Sequence, residues 1–183
     1  MDLHARAQEF EDFYERHYPA VLQYARRRVE EEAARDVAAE VFMTAWRHFD
    51  VACERGQAWL YRVAFNVIGN HWRSQARQAR LRDEVGFRVD AVTEDASALI
   101  AERDRVARAL ACLSAIDQEL LRLTVWEGLG AAAAAEVVGC SAGSAYVRLH
   151  RARKRLVRLL DDGGRERGLP VRDDFGLREA APE

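Results

Sequence analysis

The chain has 183 residues, a formal net charge of −2 and a hydrophobic share of 49%, a composition that supports a packed core and excludes wholesale disorder. Its three cysteines are far apart and follow no CxxC spacing, so neither a disulfide framework nor a zinc site is expected. No apolar run approaches the length of a membrane span and the N-terminus lacks a signal-peptide core, which predicts a cytoplasmic protein without membrane contact of its own.

Helical periodicity dominates the first half of the chain, and no alternating strand pattern is found there. An apolar stripe that includes Phe10 predicts a first helix, and Pro19 is expected to open a second one. The acidic triplet at 30–32 is predicted to be a connection, followed by a third helix at about 34–49. The inward residues of this third helix are predicted to be Val37, Val41, Ala45 and Phe49.

Residues 50–56 are predicted to form a loop before a fourth helix at about 57–78. The charges that follow are strongly segregated. Residues 60–82 carry five arginines and no acid, whereas residues 83–104 carry seven acids against two arginines. A flexible acidic linker at 83–100 is therefore expected between two helical domains.

The most informative segment is LGAAAAAEVVGCSAGSAYVRLHRARKRL at 129–156. It predicts a short helix, a tight turn at Gly139 and a long helix that Ser141 caps. Upstream of it, Ser114 with an acid three residues later predicts the capped start of another helix. The long helix carries six cations and no acid at 148–158. Such a helix suits the major groove of duplex DNA, where phosphates and base edges both favour arginine.

Four segments taken together resemble the second and fourth conserved regions of bacterial sigma factors of the extracytoplasmic-function (ECF) type, within the sigma-70 family. They are FEDFYERHYPAVLQYARRRV at 10–29, DVAAEVFMTAWRHFD at 36–50, AWLYRVAFNV at 58–67 and the helix-turn-helix that ends in VRLHRARKRL at 147–156. Any one alone is a weak signal, because helix-turn-helix patterns are common. The four segments together are a strong signal, because they follow the family's order and spacing over about three quarters of the chain.

The resemblance implies an all-α protein of two small helical domains, with no enzymatic activity, cofactor or metal. A region 2 domain at 1–82 would bind core RNA polymerase and recognise and melt the −10 element. The linker at 83–100 would lead to a region 4 helix-turn-helix domain at 101–162 that binds the −35 element, and a loose tail at 163–183 would follow. The implied partners are the β′ and β subunits of the polymerase, promoter DNA and an anti-sigma factor. In the holoenzyme the protein would be associated with the nucleoid.

The outer face of the third helix resembles the family's main polymerase-binding surface, which docks on a helical coiled coil of the largest core subunit. The residues assigned to this surface are Asp36, Glu40, Phe42, Met43 and Arg47. An amphipathic helix of this kind also serves simply as a core element, and Phe42 and Trp46 suit either side.

The fourth helix interleaves aromatic, polar and cationic residues. Promoter opening needs this mixture to hold an unstacked base, read its edges and bind phosphates. The residues assigned to the −10 element are Tyr61, Arg62, Phe65, Asn66, His71, Trp72, Arg73 and Arg77. Aromatic residues at helical spacing are also typical of a core, so some of the three aromatic side chains are expected to be buried.

The long basic helix resembles the family's recognition helix for the −35 element. The residues assigned to that element are Ser144, Tyr146, Val147, Arg148, Arg151, Arg153 and Lys154. Arg148 and Arg151 are predicted to reach guanine edges, each contact worth about 1–3 kcal/mol of discrimination. The later cations are expected on phosphate or on the polymerase. A basic helix that is merely solvated is the simpler alternative.

Two other classes of function are open from the sequence. A stand-alone helix-turn-helix regulator would bind an operator as a dimer and without polymerase, and an all-α scaffold would use the basic faces for protein or RNA. An enzyme is the least expected class, because the sequence shows no Ser/His/Asp arrangement, paired carboxylates, metal-ligand spacing or phosphate loop.

Overall fold

The computed structural model describes residues 3–83 and 98–161, and within them the side chains of residues 4–78 and 105–161. The described residues form helices and short connections, which confirms the all-α class. In chain order the helices are α1 Leu3–Arg26, α2 Glu31–Arg47, α3 Phe49–Asp83, α4 Ala98–Ala111, α5 Ala115–Val125, α6 Ala131–Val138 and α7 Ala142–Asp161.

The chain divides into two compact units, one formed mainly by its N-terminal half and the other mainly by its C-terminal half. The N-terminal unit is built on α1, α2 and α3, and the C-terminal unit on α4, α5 and α7. The first residues of α6 group with the C-terminal unit, whereas Glu136–Gly139 group with the N-terminal one. Most of the linker predicted at 83–100 and the tail at 163–183 lie outside the described residues, so both remain predictions. Among the described helices, none combines the length and apolarity needed to cross a bilayer.

The core of the N-terminal unit lies where α1, α2 and α3 pack against one another. Tyr24 of α1 and Tyr61 of α3 are both buried and stack with their ring centroids 4.6 Å apart. Val37, Val41 and Ala45 of the predicted inner face of α2 are all buried, whereas Phe49, also predicted there, is buried at the start of α3. This packing leaves the polar faces of α2 and α3 on the outside of the unit.

α1 is one continuous helix, and the prediction that Pro19 opens a separate helix is wrong. Proline has no N–H to donate and usually breaks a helix interior. Here Pro19 is exposed, so water can reach the carbonyl that it leaves unpaired. The buried side chains of Phe13 and Val21 flank Pro19 in sequence. Burial of that shared apolar face outweighs the lost hydrogen bond.

α2 begins at Glu31, so the acidic triplet belongs largely to the start of a helix and not to a connection. Glu31 and Glu32 lie in the first turn, where the helix dipole favours negative charge. Glu31 also accepts two hydrogen bonds from Arg26, at 2.6 and 2.7 Å, and pairs with Arg35 at 3.1 Å. These contacts, those of Arg26 foremost, hold the pKa of Glu31 below its usual range.

Residues 50–55 are helical, so the prediction of a loop over 50–56 is wrong. α3 has one break, at Gly56, where φ is 59° and ψ is −141°. Residues with an L side chain rarely adopt a positive φ, which explains why a glycine stands at the break. Phe49 and Ala52 are buried and anchor the stretch before it. Two inward residues are too few for a periodic signal in the sequence.

The C-terminal unit is organised around α7, which packs against α4 and α5. The buried side of α7 carries Ala145, Leu149 and Ala152 at helical spacing. α5 in turn buries Leu120 and Leu123 completely. The small alanines allow close packing, and the other faces of α7 are left to solvent.

Both predicted serine caps are confirmed. Ser114 Oγ accepts a hydrogen bond from the backbone N–H of Asp117 at 3.2 Å, and Ser141 Oγ accepts one from Ser144 at 3.2 Å. The turn between α6 and α7 contains Gly139 with φ 75°, as the predicted tight turn requires. The starts of α5 and α7 are therefore fixed by side-chain caps.

Candidate nucleic-acid interface

The outer face of α7 is strongly basic. Five of its six cations are exposed, and the sixth, Arg148, is half-buried. The exposed ones are Arg151, Arg153, Lys154, Arg155 and Arg158. No acid interrupts the set, so their fields add and favour a polyanion along this helix.

The residues assigned to the −35 element divide between two sides of α7. Ser144, Val147, Arg148 and Arg151 line an open depression of about 550 Å³ between α7 and the start of α5. Tyr146 and Arg153 line a second depression, of about 500 Å³, beside the end of α5 and the start of α6. Lys154 is exposed and lines neither. The first depression thus brings together both arginines that are predicted to read bases.

Arg148 is not a free cation, which the sequence did not indicate. Its Nη1 lies 2.9 Å from Oδ1 of Asp117 on α5, and the two form an ion pair and a hydrogen bond. The partners are 31 residues apart, so no helical spacing could have linked them. In sequence, Asp117 is already explained as the acid three residues after the Ser114 cap.

On α3, two of the three aromatic residues assigned to the −10 element are core residues. Tyr61 is 1% exposed and Phe65 is 7% exposed, so their assignment to DNA contact is corrected. Tyr61 stacks on Tyr24, and its hydroxyl accepts a hydrogen bond from Gln57 Nε2 at 2.6 Å. A ring enclosed in this way cannot receive an unstacked base without opening the core.

The other residues assigned to the −10 element reach the surface of α3. Arg62, Asn66 and Arg77 are exposed, while His71, Trp72 and Arg73 are half-buried. The exposed segment is held by contacts within the helix, since Arg73 donates to Asn70 Oδ1 and the His71 ring bonds the side chain of Gln75 at 2.9 Å. Trp72 is therefore the aromatic side chain of this set that remains accessible.

The outer face of α2 has the expected composition except at one position. Asp36, Glu40, Met43 and Arg47 are exposed. Phe42 is 4% exposed, so its assignment to the outer face is corrected. Its ring packs against Tyr14 and Tyr18 of α1, with centroids at 4.7 and 6.0 Å. The buried ring belongs to the seam between α1 and α2.

Trp46, which the sequence left open between the two sides of this helix, is exposed beside the outer face. Trp46 is 38% exposed, with its ring edge-on to Phe10 at a centroid distance of 4.9 Å and the Arg6 guanidinium 5.6 Å from its own centroid. Tyr14 is 37% exposed and Met43 is 54% exposed. Exposed apolar groups of this size among charges are typical of a protein-docking surface.

All three cysteines are free thiols. Cys53 and Cys112 are exposed and Cys140 is half-buried. Burial raises the pKa of the Cys140 thiol against the opposing effect of Arg148, and burial also raises that of Cys53. Both thiols therefore stay protonated at neutral pH. Within the described residues, no group of His, Cys, Asp or Glu side chains could hold a metal ion.

Family models match both units of the chain. The model for sigma-70 region 2 matches residues 13–78, and the model for sigma-70 region 4 matches residues 103–156. Among curated relatives, the ECF RNA polymerase sigma factor SigL of Mycobacterium tuberculosis is 32% identical over 160 residues, covering 82% of this chain and 88% of SigL. The ECF RNA polymerase sigma factor BldN of Streptomyces coelicolor is 30% identical over 183 residues, covering 90% of this chain and 67% of BldN.

Solved structures show the same fold. CnrH, solved in complex with the cytosolic domain of CnrY, superimposes with a TM-score of 0.61 at 29% identity, over 86% of this chain and 90% of CnrH. The sigma factor RpoE of Bartonella quintana, solved with the anti-sigma factor NepR, gives a TM-score of 0.60 at 24% identity, over 84% of this chain and 98% of RpoE.

Proposed function

The chain belongs to the ECF sigma factors of the sigma-70 family, which bind core RNA polymerase and direct it to promoters, and we propose that its two units divide this work. The N-terminal unit, predicted at 1–82, binds the polymerase and recognises and melts the −10 element. The C-terminal unit, predicted at 101–162, holds the −35 element as duplex. The linker at 83–100 joins the two activities.

The basic outer face of α7 is the observation that carries the assignment to DNA. Exposed cations along one helix release counterions from phosphates, and a capped helix with exposed Tyr146, Val147 and Arg151 fits a major groove. Arg148 and Arg151 share one depression with Ser144, which places base-reading groups beside a small polar side chain. Arg153 and Lys154, nearer the end of α7, act on phosphates or on the polymerase.

The exposed side of α3 is assigned to the −10 element. Arg62 and Arg77 supply charge for the backbone, and Asn66 and His71 supply polar edges for bases. Trp72 takes the stacking role that the sequence had divided among three aromatic residues, because the other two are enclosed in the core. Arg73 supports the same surface from within the helix.

The outer face of α2 is assigned to the polymerase. Asp36, Glu40 and Arg47 provide charges that set the register of docking, and Met43 provides an exposed apolar contact. Trp46 extends this face toward α1 and adds the large, rigid side chain that favours a binding hot spot.

An anti-sigma factor is the further partner in this scheme. CnrH was solved with the cytosolic domain of CnrY bound. An anti-sigma factor bound to this chain would cover the apolar groups that the polymerase otherwise covers. Exposed Tyr14, Met43 and Trp46 offer such a surface here. The chain would work in the cytoplasm and at the nucleoid, without a cofactor and without a chemical step of its own, by spending binding energy on promoter opening.

Run-off transcription with purified core polymerase and a genomic promoter library tests this function. We expect defined start sites to appear only when the chain is added, each preceded by common −10 and −35 sequences. A chain that never associates with core polymerase would contradict the assignment. Binding of the free chain to one operator, with no effect on initiation, would instead favour a stand-alone regulator.

A further inference from the structure

One carboxylate lies inside the basic surface that is assigned to the −35 element. Asp117 comes from the first turn of α5 and lines the same depression as Ser144, Val147, Arg148 and Arg151. An acid at a surface meant for phosphates costs affinity, because like charges repel. Its ion pair with Arg148 is the contact that can offset this loss of affinity.

Asp117 is itself held firmly. Its backbone N–H donates to the Ser114 cap, and the next turn of α5 buries Leu120 and Leu121. Its side chain is 24% exposed, while that of Arg148 is 40% exposed. The ion pair thus ties the middle of α7 to a rigid point on a neighbouring helix, with part of the guanidinium still open to the depression.

The contact uses one nitrogen of the guanidinium. Arg148 Nη1 meets Asp117 Oδ1 at 2.9 Å, and a guanidinium has five N–H donors in a fixed plane. Fixing one edge orients that plane while leaving other donors for a ligand. An unrestrained arginine loses much rotamer freedom when it binds, and a carboxylate that orders it beforehand removes part of that loss. The same carboxylate discourages a phosphate from taking the place of a base edge.

We propose that Asp117 is a positioning residue that orders the Arg148 guanidinium for reading one base pair of the −35 element. This inference rests on the proposed function of α7. It makes Arg148 a specificity contact, whereas Arg151, exposed one turn further along the helix, contributes more through its charge. Loss of Asp117 therefore weakens the choice of base and not the overall attraction to DNA.

The test uses holoenzyme made from the full chain and core polymerase, with promoters randomised across the −35 element. Asp117→Asn is compared with the wild type and with Asp117→Glu, and initiation from each sequence is counted. Asp161→Asn is the matched control, because it removes the same charge from an exposed position at the end of α7. Thermal unfolding of each variant verifies that the C-terminal unit is intact, and Asp117→Ser replaces Asp117→Asn if the latter does not fold.

We expect Asp117→Asn to lower base preference at one −35 position by about fivefold, less than the full worth of a bidentate contact, with equal or higher binding to unrelated DNA. Asp117→Glu should recover most of the preference, and Asp161→Asn should leave it unchanged. Arg148→Ala should abolish preference at the same position. In the free chain, the NMR signals of the Arg148 Nη–H protons should exchange with water faster in Asp117→Asn, because Nη1 donates to Asp117.

Unchanged base preference in Asp117→Asn, or the same loss in Asp161→Asn, would overturn the positioning role while leaving the sigma function intact. Preference lost at a position that Arg148→Ala does not affect would also overturn it. A wild-type holoenzyme without any −35 preference is a different failure, since it would remove the assignment of α7 to that element as well.

Discussion

The two units differ in how the residues expected to bind partners are placed. In the C-terminal unit, the residues assigned to the −35 element all lie at the surface of α7, and Arg148 alone among its cations is half-buried. In the N-terminal unit, three assigned residues, Phe42, Tyr61 and Phe65, are buried in the core. The difference follows from chemistry. An unpaired arginine cannot be buried at acceptable cost, whereas an aromatic ring suits a core and a stacking surface equally well.

Tyr61→Ala is the strongest test of the assignment of that ring to the core. We expect it to lower the free energy of unfolding of the N-terminal unit by about 3–5 kcal/mol, as for other buried aromatic residues. Denaturant unfolding measures this, with Asn66→Ala on the exposed side of the same helix as control. A variant that unfolds like the wild type but cannot open promoters would show that Tyr61 acts on DNA after all.

Arg148→Ala combined with Arg151→Ala tests the surface of the C-terminal unit. Loss of the Arg148 base contact and of the Arg151 charge should reduce −35-dependent initiation by about 10–100-fold and leave binding to core polymerase unchanged. The matched control is Arg155→Ala with Arg158→Ala, which removes the same charge further along α7. Equal loss of polymerase binding and initiation would contradict the separation of tasks between the units.

Charge reversal on α2 tests the proposal that the outer face of this helix binds core polymerase. Asp36→Lys with Glu40→Lys should weaken binding to core polymerase on the order of tenfold, chiefly through slower association at low salt. The control is Glu11→Lys with Asp12→Lys, which makes the same change of charge at exposed positions of α1. Unchanged affinity, measured by labelled-sigma titration, would exclude this face as the docking surface.

The smallest expected effect is that of His17 on the pH dependence of the stability of the N-terminal unit. Burial, and next the charge of Arg16, lower its pKa from the usual 6.5. The unfolded chain therefore takes up a proton before the folded one does, so stability is full above about pH 6.5 and declines as the pH falls below it. His17→Gln should flatten this decline in urea unfolding between about pH 7.5 and about pH 5. An unchanged decline in His17→Gln would contradict this role of the half-buried ring.

The sequence was sufficient where one physical effect dominated. Charge segregation marked α7, and serine caps marked the starts of α5 and α7 because their hydrogen bonds are local. It failed where distant parts of the chain decide the outcome. Packing by two other helices keeps α1 intact through Pro19, and an acid 31 residues away fixes Arg148. Neither contact has a signature at helical spacing.

The residues of α2 show that sequence patterns predict the centre of a buried helix face better than its edges. Val37, Val41 and Ala45 were placed correctly, because one face of an amphipathic helix must be apolar. Phe42 and Trp46 lie at the edges of that face, and only the position of α1 decides that the first is buried and the second exposed. The burial of residues at the edges of a helix face therefore cannot be predicted without the tertiary structure.

The backbone at Gly56 makes handedness the deciding property of that position. A Cβ added there would meet no atom within 4 Å, so the restriction comes from the φ of 59° and not from lack of room. L-alanine would be strained by about 1–3 kcal/mol, whereas the mirror-image residue prefers these dihedral angles. A semisynthetic chain with D-alanine at position 56 should therefore keep the path of α3, although its side chain has the same size as that of the strained L isomer.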